Sequence, residues 1–221
     1  MNDAGKFSID CRACPRLADF LDEVKCDYPK YFARPVPPFG ADNPRLLIVG
    51  LAPGMHGANQ TGRPFTGDFA GILLYETLHK FGYASQPTTV RDDSVFPNHV
   101  RADPRLRLIN CRITNAVKCL PPGNKPETGE IKQCNGFLRS ELAAMKNDTW
   151  ILALGGVAHK AVLMALDIKI RNFPFAHGAQ YDLPRGMKLI DSYHCSRYNT
   201  NTRRLTPEMF EDVFRVIKKS I

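Results

Sequence analysis

The 221-residue chain has no apolar run longer than a strand: residues 46–49 and 151–154 are its strongest, far short of the roughly 18–20 residues that a membrane-spanning helix needs. A bilayer span is therefore excluded. Its first residues, MNDAGKFSIDCRACPRL, lack the continuous apolar core behind a basic start that marks a secretory leader. The expected setting is a bacterial or archaeal cytosol, near the nucleoid. Internal repeats and low-complexity tracts are missing too, and the proline-rich residues 34–39 (RPVPPF) are too few to form a linker. One domain over residues 1–221 is expected, an N-terminal segment 1–40 leading into a core at 45–221. The sequence is also short of acid, with 22 Asp+Glu against 30 Lys+Arg and a formal charge of +8. That sign suits a surface that meets phosphates.

What remains is the composition of an ordinary globular protein, 43% hydrophobic and 24% charged, able to bury a core. Residues 45–49 form an apolar strand that ends in a glycine-rich turn, and residues 69–81 have helical spacing. A strand is expected within 106–117, a helix over 127–145, a strand at 150–154 and a helix over 157–166 opened by Gly155-Gly156. A fourth strand at 187–190 is followed by a helix whose start is signalled by Thr206 and Pro207. Strands alternating with helices imply an α/β fold with a parallel sheet covered on both faces. Ligands collect at the carboxyl ends of such strands, which selects residues 51–68, 114–118 and 194–204 as candidate site segments.

Seven cysteines are many for a reducing compartment, where a disulfide framework is not expected. Cys11-Arg-Ala-Cys14 is a C-x2-C knuckle, and Cys119 and Cys134 form a second pair beside a Pro-Pro-Gly loop. A lone C-x2-C is compatible with redox chemistry, whereas four converging thiolates would hold zinc or an iron–sulfur cluster, and spacing does not separate the two metals. Cys111, inside the strand expected over 106–117, reads as a buried apolar thiol.

The turn Gly50-Leu-Ala-Pro-Gly-Met-His-Gly57 looks like a phosphate loop, but it lacks both the G-x-G-x-x-G spacing and the Gly-Lys-Ser/Thr of a P-loop, so nucleotide binding is disfavoured. Its continuation, residues 62–68 (GRPFTGD), gathers small residues, one aromatic and one carboxylate. That suits close approach by a flat ligand with a single acid at its edge.

Three segments, GLAPGMHGANQTGRPFTGD (50–68), TNAVKCLPP (114–122) and HCSRYNTNTRRLT (194–206), together resemble the family 5, type-B uracil-DNA glycosylases. The four cysteines match that family's [4Fe–4S] ligands in order and spacing, so the resemblance runs from Cys11 to the C-terminus. It implies a three-layer α/β/α fold around a central four-stranded parallel sheet, carrying an iron–sulfur cluster. It also implies hydrolysis of the N-glycosidic bond of uracil, and of other deaminated or modified bases such as hypoxanthine, in double-stranded DNA by a monomeric, monofunctional repair enzyme. The open alternative is a non-catalytic DNA-binding protein stabilised by zinc on the same cysteines.

The resemblance further implies roles for individual residues. Asp68 positions or activates the water, His194 donates to the uracil carbonyl oxygen, and the Asn115 carboxamide reads the base edge. Ala52, Pro53, Gly54 and Met55 line the pocket and Phe65 stacks on the flipped base. Arg197, Asn199, Arg203 and Arg204 hold DNA, with Lys118 and Lys125 as further phosphate contacts. Cys11, Cys14, Cys119 and Cys134 bind a [4Fe–4S] cluster, which lowers the effective charge to about +6. Phe69 and Cys195 depart from the family pattern, which puts pocket width in question.

Overall fold

The computed structural model describes residues 7–87, 90–91 and 101–220. Helix α1 (Pro15–Asp27) comes first, with Pro15 in its first turn, where a missing N–H does no harm. Strands β1 (Phe39–Gly40) and β2 (Leu46–Gly50) follow, then the short helix α2 (Ala58–Thr61) and helix α3 (Phe69–Lys80). A small pair, β3 (Val90–Arg91) and β4 (Arg101–Ala102), precedes β5 (Cys111–Asn115). The second half runs α4 (Thr128–Ala144), β6 (Trp150–Leu154), α5 (Gly156–Ala165), β7 (Gln180–Asp182), β8 (Lys188–Ser192), α6 (Arg197–Asn201) and α7 (Pro207–Ser220).

The main sheet has six strands in the order β1-β5-β2-β6-β8-β7. Its four inner strands are parallel, while β1 and β7 join antiparallel at the edges. The expectation of a four-stranded parallel sheet is therefore corrected to a mixed six-stranded one. The edge strands escape a reading of apolar runs because they are only two and three residues long and half exposed.

Side chains of a strand alternate between faces, and β2 shows what each face packs against. Leu46 and Ile48 join Leu74 and Leu78 of α3 and Phe210, Phe214 and Ile217 of α7. Leu47 and Val49 join Leu138 and Leu142 of α4 and Ala158, Ala161 and Val162 of α5. The result is three layers, α3/α7 on one side of the sheet and α4/α5 on the other.

Most element ends follow local chemistry. Helix α4 starts at a capping box in which Glu127 and Glu130 each accept from the other's backbone N–H, and α7 starts where Thr206 Oγ1 accepts from Met209 N at 3.2 Å. The strand expected within 106–117 is shorter than its apolar pattern: Asn110 has φ 51° and Ile109 is exposed, so the chain bends at 109–110 on its way into β5, while Leu108 bridges Ala84. Because β2, β5, β6 and β8 run in one direction, the segments that leave their carboxyl ends share one edge of the sheet.

Candidate active site

At that edge lies a cleft of about 290 Å³. It is lined by residues from all four exits, among them Ala52, Gly54, Phe65, Asp68, Asn115, Gly155, Val157 and His194. The three segments selected from the sequence meet here.

Asp68 is the N-cap of α3, its Oδ1 accepting from Gly71 N at 3.0 Å. Burial raises its pKa above the ordinary carboxylate value, opposed by the hydrogen bonds from Gly71 and Ala70. Asn115 closes β5; it is 3% exposed, and its Oδ1 has no hydrogen-bond partner among the described residues. A buried amide oxygen without a partner is costly, about 1–3 kcal/mol, and so marks a place where a ligand donor fits. His194 follows β8, and burial pushes its pKa down to about 4, so the imidazole is neutral at physiological pH. The ring of Phe65 stacks on it, centroids 5.7 Å apart and planes 29° from parallel.

Three glycines, two of them the ends of the turn 50–57, make this packing possible. A Cβ on Gly50 would stand 2.5 Å from Asn115 Oδ1 and 2.7 Å from the Phe65 ring. A Cβ on Gly57 would stand 2.4 Å from Asp68 Oδ2, and one on Gly71 would stand 2.0 Å from the carbonyl oxygen of Phe65. Phe65 itself has φ 54°, a left-handed conformation uncommon for a bulky residue and held here by its buried surroundings. The only sequence signal for these constraints is the glycine density of residues 50–71.

Several expected residues lie elsewhere. Pro53 and Met55 do not line the cleft; Met55 packs on Leu21, Val24 and Tyr31 beneath α1. Lys118 is not a phosphate contact: it is 1% exposed, its Nζ bonded to the Thr114 hydroxyl and, at 2.6 Å, to Glu141. Its four-carbon stem lets it point inward where the sequence suggested a surface charge. Asn199 faces inward as well, its Nδ2 donating to the carbonyl oxygen of His194 at 2.8 Å. Phe69 and Cys195, the two departures from the family pattern, do not line the cleft themselves: Phe69 lies between the lining residues Asp68 and Ala70, and Cys195 lies in the core. Conversely, Asn124 and the Gly155–Val157 turn line it without having been anticipated.

Arg197, Arg203 and Arg204 are exposed, on and beyond α6, which follows the cleft residue Ser196. Arg197 lies over the Phe69 ring at 5.1 Å and Arg204 over the Tyr193 ring at 4.6 Å, placements that orient the guanidinium groups. Tyr198, between them, is 71% exposed.

Beside the segment that leaves β5, Cys11, Cys14, Cys119 and Cys134 line one small cavity with Leu17, Val117 and Phe137. Burial and mutual proximity push the Cys119 thiol up to about 12 and Cys134 to about 11, and Lys118 N donates to Cys134 Sγ at 3.3 Å. Arg16 grips Glu130 with two nitrogens, at 2.8 and 2.7 Å, clamping α1 to α4 beside them. Among the described residues, no group of three or more His, Cys, Asp or Glu side chains is arranged to hold a single metal ion. An all-sulfur donor set lining one small cavity nevertheless fits a sulfur-liganded metal group in its chemistry. Cys111 is fully buried in β5 as an apolar thiol.

Residues 37–218 match the family model described as "Uracil DNA glycosylase superfamily". The chain is 43% identical to a Type-5 uracil-DNA glycosylase of Thermus thermophilus, over 95% of this chain and 93% of that one. It is 42% identical to one of Mycobacterium leprae, over 95% and 90%, and 39% identical to one of Pyrobaculum aerophilum, over 94% and 87%. Among the described residues, no helix is long and apolar enough to cross a membrane.

Proposed function

The chain belongs to the uracil-DNA glycosylase superfamily, and we propose that it is a hydrolase of N-glycosyl bonds that removes uracil from double-stranded DNA and leaves an abasic site. One observation carries this reading: a desolvated carboxylate, an unpartnered buried amide oxygen and a neutral imidazole converge in a single cleft. Those are the groups that water activation, base readout and leaving-group stabilisation require.

A stacked base cannot enter this cleft, so the nucleotide turns out of the duplex, at a cost of a few kcal/mol that is smallest for a mispair such as U·G. Asn115 Oδ1 accepts the N3–H of uracil; cytosine presents an acceptor there and is rejected. Phe65 lines the base site with an aromatic surface. Asp68 orients water toward the sugar carbon, and His194 donates to a uracil carbonyl oxygen as the glycosidic bond lengthens. Arg197, Arg203 and Arg204 take phosphates, and Asn199 serves them indirectly by holding the backbone of His194. The 290 Å³ cleft has room for hypoxanthine as a second substrate.

Cys11, Cys14, Cys119 and Cys134 are the residues that would hold a [4Fe–4S] cluster. When bound, it would supply structural chemistry, with thiolates in place of thiols and the segment before α1 joined to the exit of β5. The rest of the site needs no electron transfer. A non-catalytic, zinc-stabilised DNA-binding protein would have no use for a desolvated carboxylate beside a neutral imidazole.

Incubation with a duplex carrying one U·G pair, followed by alkali, tests the activity. Strand breakage at the uracil is expected, and an intact strand would overturn the reading. The same duplex with hypoxanthine tests the second substrate.

A further inference from the structure

The cleft lies between two helix N-termini that are treated differently. The free N–H groups of α3 are met by the chain itself, through the Asp68 carboxylate. Helix α5, ten residues long, has no side-chain cap and no acidic residue in its first turn. Gly155 N is used, donating to Ser192 O at 2.8 Å. The N–H groups of Gly156 and Val157 have no hydrogen-bond partner among the described residues, and Leu154, Gly155, Gly156 and Val157 form a continuous stretch of the cleft wall. On its own an uncapped helix end is ordinary. Here the same cleft also presents Asn115 Oδ1, buried and unpartnered, which marks the space as a place for a polar ligand.

Resting on the reading of the cleft as a uracil-release site, we propose that the N-terminus of α5 stabilises the departing base as an anion. Water's oxygen forms the new bond to the sugar carbon and its proton passes to Asp68. The C–N bond breaks, and its electron pair stays with uracil as negative charge spread over N1 and the carbonyl oxygens. His194, neutral, supplies one donor to that charge. The Gly156 and Val157 N–H groups and the positive end of α5 supply the remainder. The proton held by Asp68 then returns to the released base through solvent.

The test exploits the position of Gly156 at the first helical residue, where proline is tolerated and deletes one N–H. Preceding Gly155 has ψ 162°, compatible with a following proline, and a Cβ on residue 156 meets only Phe175 at an ordinary 3.8 Å. Single-turnover release is compared for uracil and for 5-fluorouracil, whose anion is the better leaving group and needs less help. Gly156→Pro is expected to slow uracil release about 100-fold, the lower end of the range found when one oxyanion donor is removed, and 5-fluorouracil release only about 10-fold. Gly156→Ala, which keeps the N–H, should retain the wild-type ratio between the two bases whatever its absolute rates. Val157→Asp gives a second measurement at a partly exposed position and is independent of proline: its carboxylate occupies the helix end, so it should depress the uracil to 5-fluorouracil ratio while Val157→Asn does not. Equal slowing of both bases in Gly156→Pro, or an unchanged ratio in Val157→Asp, overturns the proposal while leaving the glycosylase reading intact. A wild-type protein that releases neither base overturns both.

Discussion

Gly57 makes the space that the Asp68 carboxylate occupies: a Cβ on residue 57 would stand 2.4 Å from Asp68 Oδ2 and 2.8 Å from its Cγ. The two residues are eleven positions apart, one at the entrance to α2 and the other at the start of α3, and a side chain at 57 would collide with the carboxylate. Gly57→Ala is therefore expected to displace the carboxylate and slow uracil release about 100-fold, the scale of a misplacement near 1 Å, with duplex affinity retained. A rate within a few-fold of wild type, measured by alkali cleavage, would show that the carboxylate's position does not matter.

Asp68→Asn keeps an N-cap of similar quality while removing the base. Uracil release should drop about 1,000-fold with little change in binding to uracil-containing duplex by gel shift. Loss of binding with turnover intact would place Asp68 in DNA contact and not in the chemistry.

The two titrating groups of the cleft impose opposite pH dependences on stability. His194 holds its pKa near 4 in the fold against 6.5 when unfolded, so the unfolded chain binds the extra proton and stability is lost as pH falls from about 6.5 to about 4. Asp68 is raised above 3.8, so the native state binds the extra proton just above that value, and stability is lost as pH rises through its folded pKa. Thermal melts of Asp68→Asn should accordingly lie above wild type at pH 7–8 and converge with it below pH 4. A variant destabilised at neutral pH would contradict the burial argument.

Cys119→Ser should yield protein with little iron and sulfide, without the brown visible absorbance expected of the intact protein, and with a lower melting temperature. Wild-type protein that is colourless and carries one zinc per chain would replace the cluster with a single ion.

Replacing Arg197, Arg203 and Arg204 together by Ala should weaken duplex binding and reduce the slope of log affinity against log salt by up to about 3, close to one for each phosphate no longer neutralised. Asn199→Ala is expected to leave that slope unchanged and to lower the rate of base release, because Asn199 bonds the carbonyl of His194. A salt slope altered by Asn199→Ala would return it to the DNA-contacting set.

The alternation of apolar strands with amphipathic helices was enough to locate β2, β6, α3, α4 and α7 and the edge of the sheet where ligands bind, since burial on both faces leaves a continuous apolar signature in the sequence. The short edge strands β1 and β7 leave none. The resemblance to the type-B glycosylases likewise picked out Asp68, Asn115, His194 and Phe65, which the fold places around one cleft. It did not determine where long or amphipathic side chains go. Lys118 and Asn199 carry the composition of a DNA-facing surface, yet Lys118 turns inward to Glu141 and Asn199 to the backbone of His194. Those choices depend on partners 23 and 5 residues away whose positions exist only once the sheet is assembled. The glycine constraints at 50, 57 and 71 and the uncapped start of α5 are of the same kind. The sequence by itself determined the elements and the chemical groups. Only the tertiary structure decided which groups are desolvated and which are left without partners, because desolvation and hydrogen-bond satisfaction belong to the packed environment and not to the residue.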